Sequence, residues 1–183
     1  MPDVPAAEIP ADIDLLVLDV DGVLTDGRIT LDARGEETKS FHVRDGSGMK
    51  YWMRAGRALA LLSGRGSPAV VRRAEELGIE LVRLSAKHKR PPLDELIAAA
   101  GTTAARTAAM GDDLTDLPVL RHVGFGVAVA DAADELRAAA DYVTARPGGA
   151  GAVREVIELL LRRAGLWETI LERYRPDAAG ETA

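Results

Sequence analysis

Leu15 to Val20 is an apolar, β-branched run of strand length, and Asp21-Gly22 breaks it with turn chemistry. The same plan recurs at Ala58 to Leu62, Glu80 to Leu84, Arg106 to Met110, Gly124 to Val129 and Tyr142 to Thr144. Helical punctuation fills the gaps between these strands. Ser67-Pro68 reads as an N-cap with a first-turn proline and Gly78 as the stop, Pro91-Pro92 opens a second helix, and Asp131 is placed to cap a third. A long amphipathic helix follows from about Ala152 to Ala164. Gly27 to Val43 departs from this rhythm. Ile29 and Leu31 alternate, Asp32 to Glu37 forms a charged turn around Gly35, and Thr38, Phe41 and Val43 resume an extended pattern, which predicts a β-hairpin over 29–43. Arg44-Asp45-Gly46-Ser47-Gly48 reads as a turn cluster leading into a short helix, Met49 to Ala55, ended by Gly56. Alternating strands and helices with short connections predict a single doubly wound α/β domain. Its sheet is expected to be mostly parallel and flanked by helices, with a β-hairpin flap after the first strand. The domain is expected over 14–175, with flexible tails at 1–13 and 176–183.

Composition narrows the class. At 183 residues, 47% hydrophobic and 28% charged, the chain suits one globular domain with a sizeable core. A net charge of -6 and a pI near 5.1 argue against nucleic acid as the main partner. There is no cysteine, hence no disulfide framework and no thiolate metal site. The apolar runs are strand-sized and none approaches a membrane span. Residues 1–14 lack the charged and apolar regions of a signal peptide, so a cytoplasmic location is expected.

The strands end on polar clusters. Asp19 and Asp21 close the first, Ser63-Gly64-Arg65 the second, Lys87-His88-Lys89 follows the third, and Gly111-Asp112-Asp113-Leu114-Thr115-Asp116 ends the fourth. In an open α/β sheet that edge binds ligands, whereas a lone DxDG also occurs as a plain turn. Carboxylates, a hydroxyl and a lysine converging on one edge suit phosphoryl transfer. That reaction needs an in-line nucleophile, a magnesium ion to neutralise the phosphoryl oxygens, and cationic or hydroxyl donors to hold them. An Asp carboxylate can attack phosphorus and split the displacement in two, and Asp19 is placed for that. His42, His88 and His122 lack metal spacing and read as structural or surface residues. Trp52, Trp167 and Tyr174 read as packing or interface residues.

Asp19-Val20-Asp21-Gly22-Val23-Leu24-Thr25, Ser63-Gly64-Arg65, a lysine near 89 and Gly111-Asp112-Asp113-Leu114-Thr115-Asp116 resemble the four ordered motifs of haloacid dehalogenase superfamily phosphatases. Thr25-Asp26-Gly27, the hairpin, Phe41-His42-Val43-Arg44-Asp45-Gly46 and Arg146-Pro147-Gly148-Gly149-Ala150-Gly151 resemble the capless 3-deoxy-D-manno-octulosonate 8-phosphate phosphatase family within it. The resemblance implies Asp19 as nucleophile and magnesium ligand. It implies Asp21 as acid and then base, its main-chain carbonyl also on the metal. Ser63 and Lys89 would hold the phosphoryl oxygens, with Gly64 beside them, and Asp112 would be the metal ligand of the fourth motif. Asp113 and Asp116 would hold metal-bound water, Lys89 or the loop. Lys89 is followed by Arg90-Pro91-Pro92 rather than an apolar helix start, and Lys87 offers a rival ammonium. Arg44, Arg65 and Arg146, with Arg28, are the cations expected near the carboxylate of an anionic sugar acid. The resemblance also implies a homotetrameric ring in which hairpin and C-terminal segments of neighbours, Arg146 to Gly151 here, help close each site.

Three other readings fit parts of the pattern. A nonulosonate 9-phosphate phosphatase would carry the same motifs, because they address the phosphate. A non-catalytic oligomerisation module of the same fold would be free to lose its acids, yet Asp19, Asp21, Lys89 and Asp112 are all present. A phospho-receiver domain places its phosphoacceptor on a later strand than its acidic pair, which is the wrong order here.

Overall fold

In the computed structural model, which describes residues 9–175, six strands and seven α-helices follow the predicted alternation, with a two-stranded ribbon near the start. The main strands are β1 (Leu15–Leu18), β4 (Ala58–Leu62), β5 (Leu81–Arg83), β6 (Thr107–Gly111), β7 (Phe125–Ala128) and β8 (Tyr142–Val143). The ribbon is β2 (Thr30–Leu31) with β3 (Glu37–Thr38). The helices are α1 (Val43–Arg54), α2 (Pro68–Leu77), α3 (Arg90–Ala99), α4 (Leu117–Leu120), α5 (Asp134–Ala139), α6 (Ala152–Arg163) and α7 (Trp167–Glu172).

The main sheet is parallel throughout, in the order β5-β4-β1-β6-β7-β8. From β1 the chain builds outward through β4 and β5, then returns to the opposite side of β1 for β6, β7 and β8. The direction of building therefore reverses between β1 and β6, and connections leaving these two strands diverge and open a crevice at their carboxyl ends. Register brings the polar clusters level there. Leu18 pairs with both Leu61 and Met110, so Asp19, Ser63 and Asp112 all lie one or two residues beyond the same rung.

Helices cover the sheet, which is why β1 is apolar at every position rather than alternating. In α6 the buried residues Val153, Val156, Ile157, Leu160 and Leu161 fall on one stripe, and this stripe faces the core beside α1. Trp52 of α1 is fully buried and donates its indole N–H to the Ala58 carbonyl at 2.7 Å, as a packing role requires. Trp167 is also buried, whereas Tyr174 is largely exposed and edges onto Tyr51.

Several local expectations need correction. The segment Arg44 to Gly48 is no turn: α1 starts at Val43 and runs through it, so the extended hairpin strand ends at Thr38. Gly46 and Gly48 are packing glycines. A Cβ on Gly46 would lie 2.3 Å from the Arg73 guanidinium, and one on Gly48 would meet the Arg154 side chain at 3.0 Å. Tertiary closeness outweighs their poor helix propensity. Asp131 caps no helix; its carboxylate accepts the Gly148 N–H at 2.9 Å, and α5 begins three residues later. Ser67 stands at the α2 N-cap, but its hydroxyl makes no capping bond. The expected tails fall largely on residues 1–8 and 176–183, outside the described residues. Within the expected tail over 1–13, Ile9 and Ile13 are instead buried in the core, and Arg163 donates to the Ile9 carbonyl at 2.8 Å.

Candidate active site

The crevice between β1 and β6 holds a cleft of about 370 Å³ lined by Asp19, Asp21, Ser63, Arg65, Lys89 and Asp112, among others. Its floor is a buried ion-pair cluster. Lys89, just before α3, places its ammonium 2.7 Å from Asp19 Oδ1 and 2.6 Å from Asp116 Oδ1, with all three side chains less than a tenth exposed. Lys87 is exposed and lies at the rim, so Lys89 is the lysine that meets the carboxylates. Asp116 Oδ2 accepts the Asp112 N–H at 3.2 Å and thereby closes the loop after β6. Carboxylate oxygens of Asp19, Asp112 and Asp116 lie within 4.8 Å of one another.

The electrostatics follow from this crowding. Burial, then the neighbouring Asp116 charge, push Asp19 up to about 6 against the opposing pull of Lys89. Burial, then the charges of Asp19 and Asp116, push Asp112 up to about 8. Burial would lower Lys89, but Asp19 and Asp116 outweigh it and hold the ammonium above its usual range. Three acids facing one lysine leave a surplus of negative charge, the condition a divalent cation relieves.

Backbone geometry fixes the loops. Gly22 has φ +89°, and a Cβ on it would lie 2.0 Å from Asp112 Oδ2, so only glycine lets the loop after β1 approach the loop after β6. Thr25 stiffens the same loop, its hydroxyl accepting the Gly22 and Gly27 N–H groups at 3.4 and 3.3 Å. Ser63 is buried, and its hydroxyl accepts the Arg65 N–H at 3.2 Å. Gly64 and Arg65 line the cleft above it.

Not every residue singled out in the sequence arrives here. Arg44 and Arg146 line a separate groove of about 780 Å³ with Arg154 and Arg162, and Arg28 is exposed beside Asp26. The segment Arg146 to Gly151 packs on the loop after β1 of the same chain, Gly149 donating to the Val23 carbonyl at 2.9 Å. Asp113 lines the cleft. His42 and His122 lie beside Asp45 and Asp94, and His88 is exposed. Asp45 is buried and accepts the Gly151 and Arg154 N–H groups, so it anchors the start of α6. Burial outweighs those bonds and raises its pKa.

The sequence reading missed Lys39 and Glu37. Lys39 follows β3, its side chain is 1% exposed, and its ammonium bonds the Asp21 carboxylate and lies 2.6 Å from Glu37. Burial would lower its pKa, but Asp21 and Glu37 prevail and raise it. Glu37 also takes the Arg65 guanidinium. Nothing in the local pattern distinguishes this lysine from a solvated hairpin charge; the one available signal is that a hairpin flap directly after the first strand can reach the acids at that strand's end.

Over 153 residues the chain is 46% identical to the 3-deoxy-D-manno-octulosonate 8-phosphate phosphatase KdsC of Haemophilus influenzae, a match spanning 84% of this chain and 85% of that relative. The chain belongs to this phosphatase family. Residues 85–157 match the haloacid dehalogenase-like hydrolase family, the stretch containing Lys89 and the loop after β6. Solved members superpose closely on this phosphatase fold. The cobalt-bound H. influenzae enzyme has a TM-score of 0.83 at 46% identity, covering 85% of this chain and 91% of its own. The Moraxella catarrhalis phosphatase, solved with magnesium, phosphate and a KDO molecule, has a TM-score of 0.88 at 39% identity, covering 90% and 95%.

Proposed function

We propose that this chain is a magnesium-dependent phosphatase that hydrolyses 3-deoxy-D-manno-octulosonate 8-phosphate through an aspartyl phosphate on Asp19. The observation that carries it is the Lys89, Asp19 and Asp112 cluster at the sheet's switch point, in a chain of this phosphatase family. The donor set fits the metal: crowded, largely buried carboxylate oxygens with no sulfur or imidazole among them. Asp19 and Asp112 carboxylates with the Asp21 main-chain carbonyl would hold the magnesium, which supplies charge neutralisation at the phosphoryl oxygens.

This chain's own residues do the rest. Lys89 fixes Asp19 by one oxygen and presents a positive charge where phosphoryl charge spreads. The Ser63 hydroxyl and the Gly64 N–H hold the phosphoryl oxygens, and the Arg65 N–H orients that hydroxyl by donating to it. Asp19 attacks phosphorus while Asp21 protonates the departing sugar oxygen; Asp21 then takes a proton from water, which hydrolyses the aspartyl phosphate. Asp116 ties Lys89 to the loop after β6, leaving Asp112 for the metal. Arg65 lines the cleft, where it can meet the sugar's carboxylate. We place the enzyme in the cytoplasm; among the described residues no helix is long and apolar enough to cross a membrane. The exposed hairpin residues Ile29 and Leu31, with Val43, support a homotetramer in which neighbours cover the cleft.

The test is phosphate release from a panel containing octulosonate 8-phosphate and nonulosonate 9-phosphates, with and without magnesium, with Asp19→Asn as control. Preference for the octulosonate, lost in the control, is the expected result. Preference for a nonulosonate would reassign the substrate, and no release from any would return the chain to a structural module.

A further inference from the structure

The flap delivers a buried charge to the site. Lys39 bonds Asp21 Oδ1 on one side and faces Glu37 Oε1 on the other. Glu37 Oε2 takes the Arg65 guanidinium, whose Nε lies 3.6 Å from Asp21 Oδ2. Asp21, Lys39, Glu37 and Arg65 thus close a ring of alternating charge at the mouth of the cleft. The two sides of the ring differ. The Lys39 side chain is 1% exposed and makes a close bond to Asp21, whereas the Arg65 side chain is 46% exposed and its contact with Asp21 is long.

A carboxylate that passes a proton needs one oxygen aimed at the reacting atom, within hydrogen-bond reach. Asp21 stands on the loop after β1, and its carboxylate is held by Lys39 at Oδ1 and by the longer Arg65 contact at Oδ2. We propose that Lys39 is a positioning residue for Asp21, holding Oδ1 so that Oδ2 is the atom that exchanges the proton. This rests on the phosphatase reading of the site. Oδ2–H protonates the leaving sugar oxygen as its bond to phosphorus breaks and the bond from Asp19 forms. Oδ2 then accepts a proton from water as the water oxygen bonds phosphorus and Asp19 leaves. Lys39 gains and loses no proton in either step. Glu37 steadies the ammonium from the far side, and Arg65 is the partner that gives way when the sugar enters. The flap therefore sets the acid-base geometry of its own subunit, besides overhanging the cleft.

Lys39→Met removes the charge and keeps the stem. With octulosonate 8-phosphate and magnesium, kcat is expected to fall on the order of 100-fold while KM stays near the wild-type value, and Lys39→Arg is expected to recover part of the loss. p-Nitrophenyl phosphate separates the two steps, because nitrophenolate leaves without being protonated. Stopped-flow mixing of Lys39→Met is expected to show a burst of one nitrophenolate per site followed by slow turnover. Glu37→Gln, a milder change, should give the same burst with a smaller steady-state loss. Unchanged kcat in Lys39→Met overturns the proposal. So does a first turnover on nitrophenyl phosphate slowed as much as the steady state, the mark of a merely misfolded flap. Wild-type enzyme that turns over nitrophenyl phosphate but no octulosonate would overturn the substrate reading alone, and the burst would still read Lys39.

Discussion

Gly148 lies so close to Gly22 that a Cβ on Gly148 would sit 1.7 Å from the Gly22 carbonyl oxygen. The two residues are 126 positions apart, and their contact clamps the loop carrying Asp21 against the segment leading into α6. Asp131 holds the clamp from behind through the Gly148 N–H, and Gly149 bonds the Val23 carbonyl. Gly148→Ala must push the catalytic loop aside. Turnover should fall on the order of 100-fold through misplacement, and stability by about 1–3 kcal/mol through overpacking, read by phosphate release and urea unfolding. Wild-type turnover in this variant would show that the clamp does not position the loop.

Lys89→Met strands Asp19 and Asp116 without their shared cation. Removing one partner of a buried ion pair costs about 3–5 kcal/mol. Loss of a charge-stabilising donor should lower kcat by roughly 100- to 1,000-fold. Lys87→Met at the rim should remain near wild type in both measurements. The reverse ranking would make Lys87 the phosphate-binding lysine.

Magnesium should stabilise the folded chain through the surplus carboxylates. At about 100 times its dissociation constant the gain is about 2.7 kcal/mol, visible as a higher Tm after metal is returned to chelator-treated protein. Asp112→Asn should abolish that rise. In Lys89→Met the rise should exceed that of the wild type, since the acids then lack their own counter-charge. A magnesium-dependent Tm that survives in Asp112→Asn would place the ion elsewhere.

Asp14 joins the foot of β1 to Arg106, Arg57 and Thr102. The Arg106 hydrogen bond above all, partly opposed by burial, holds its carboxyl below the usual value. A depressed carboxylate stabilises the fold above its unfolded pKa of about 3.9, and that contribution is lost as pH falls through the folded value. Arg106→Gln should therefore lower the urea midpoint at neutral pH, with the gap closing in acid. A gap that is constant with pH would mean that the guanidinium acts by packing alone.

The hairpin strands show where a local reading stops. Phe41 and Val43 continue an alternation of apolar residues, and two glycines within five residues speak against a helix, so 43–48 reads as extended chain and turn. The helix forms because α6 and Arg73 press on Gly46 and Gly48, a fact written in residues far along the chain. Lys39 is hidden for the same reason. Its neighbours in sequence are charged and polar, and only the fold of the flap over Asp21, 18 positions earlier, buries it.

By itself the sequence determined the strand-helix alternation, the polar strand ends and the residues that could carry phosphoryl chemistry. Those depend on local periodicity, turn residues and the ordered spacing of motifs, all of which lie within a few positions of one another. Only the tertiary structure decided that Lys89 rather than Lys87 meets Asp19, that Arg44 and Arg146 face another groove, and that Lys39 holds Asp21. Burial and ion pairing are properties of contacts between distant segments, and parallel strand pairing sets these contacts only when the whole sheet assembles.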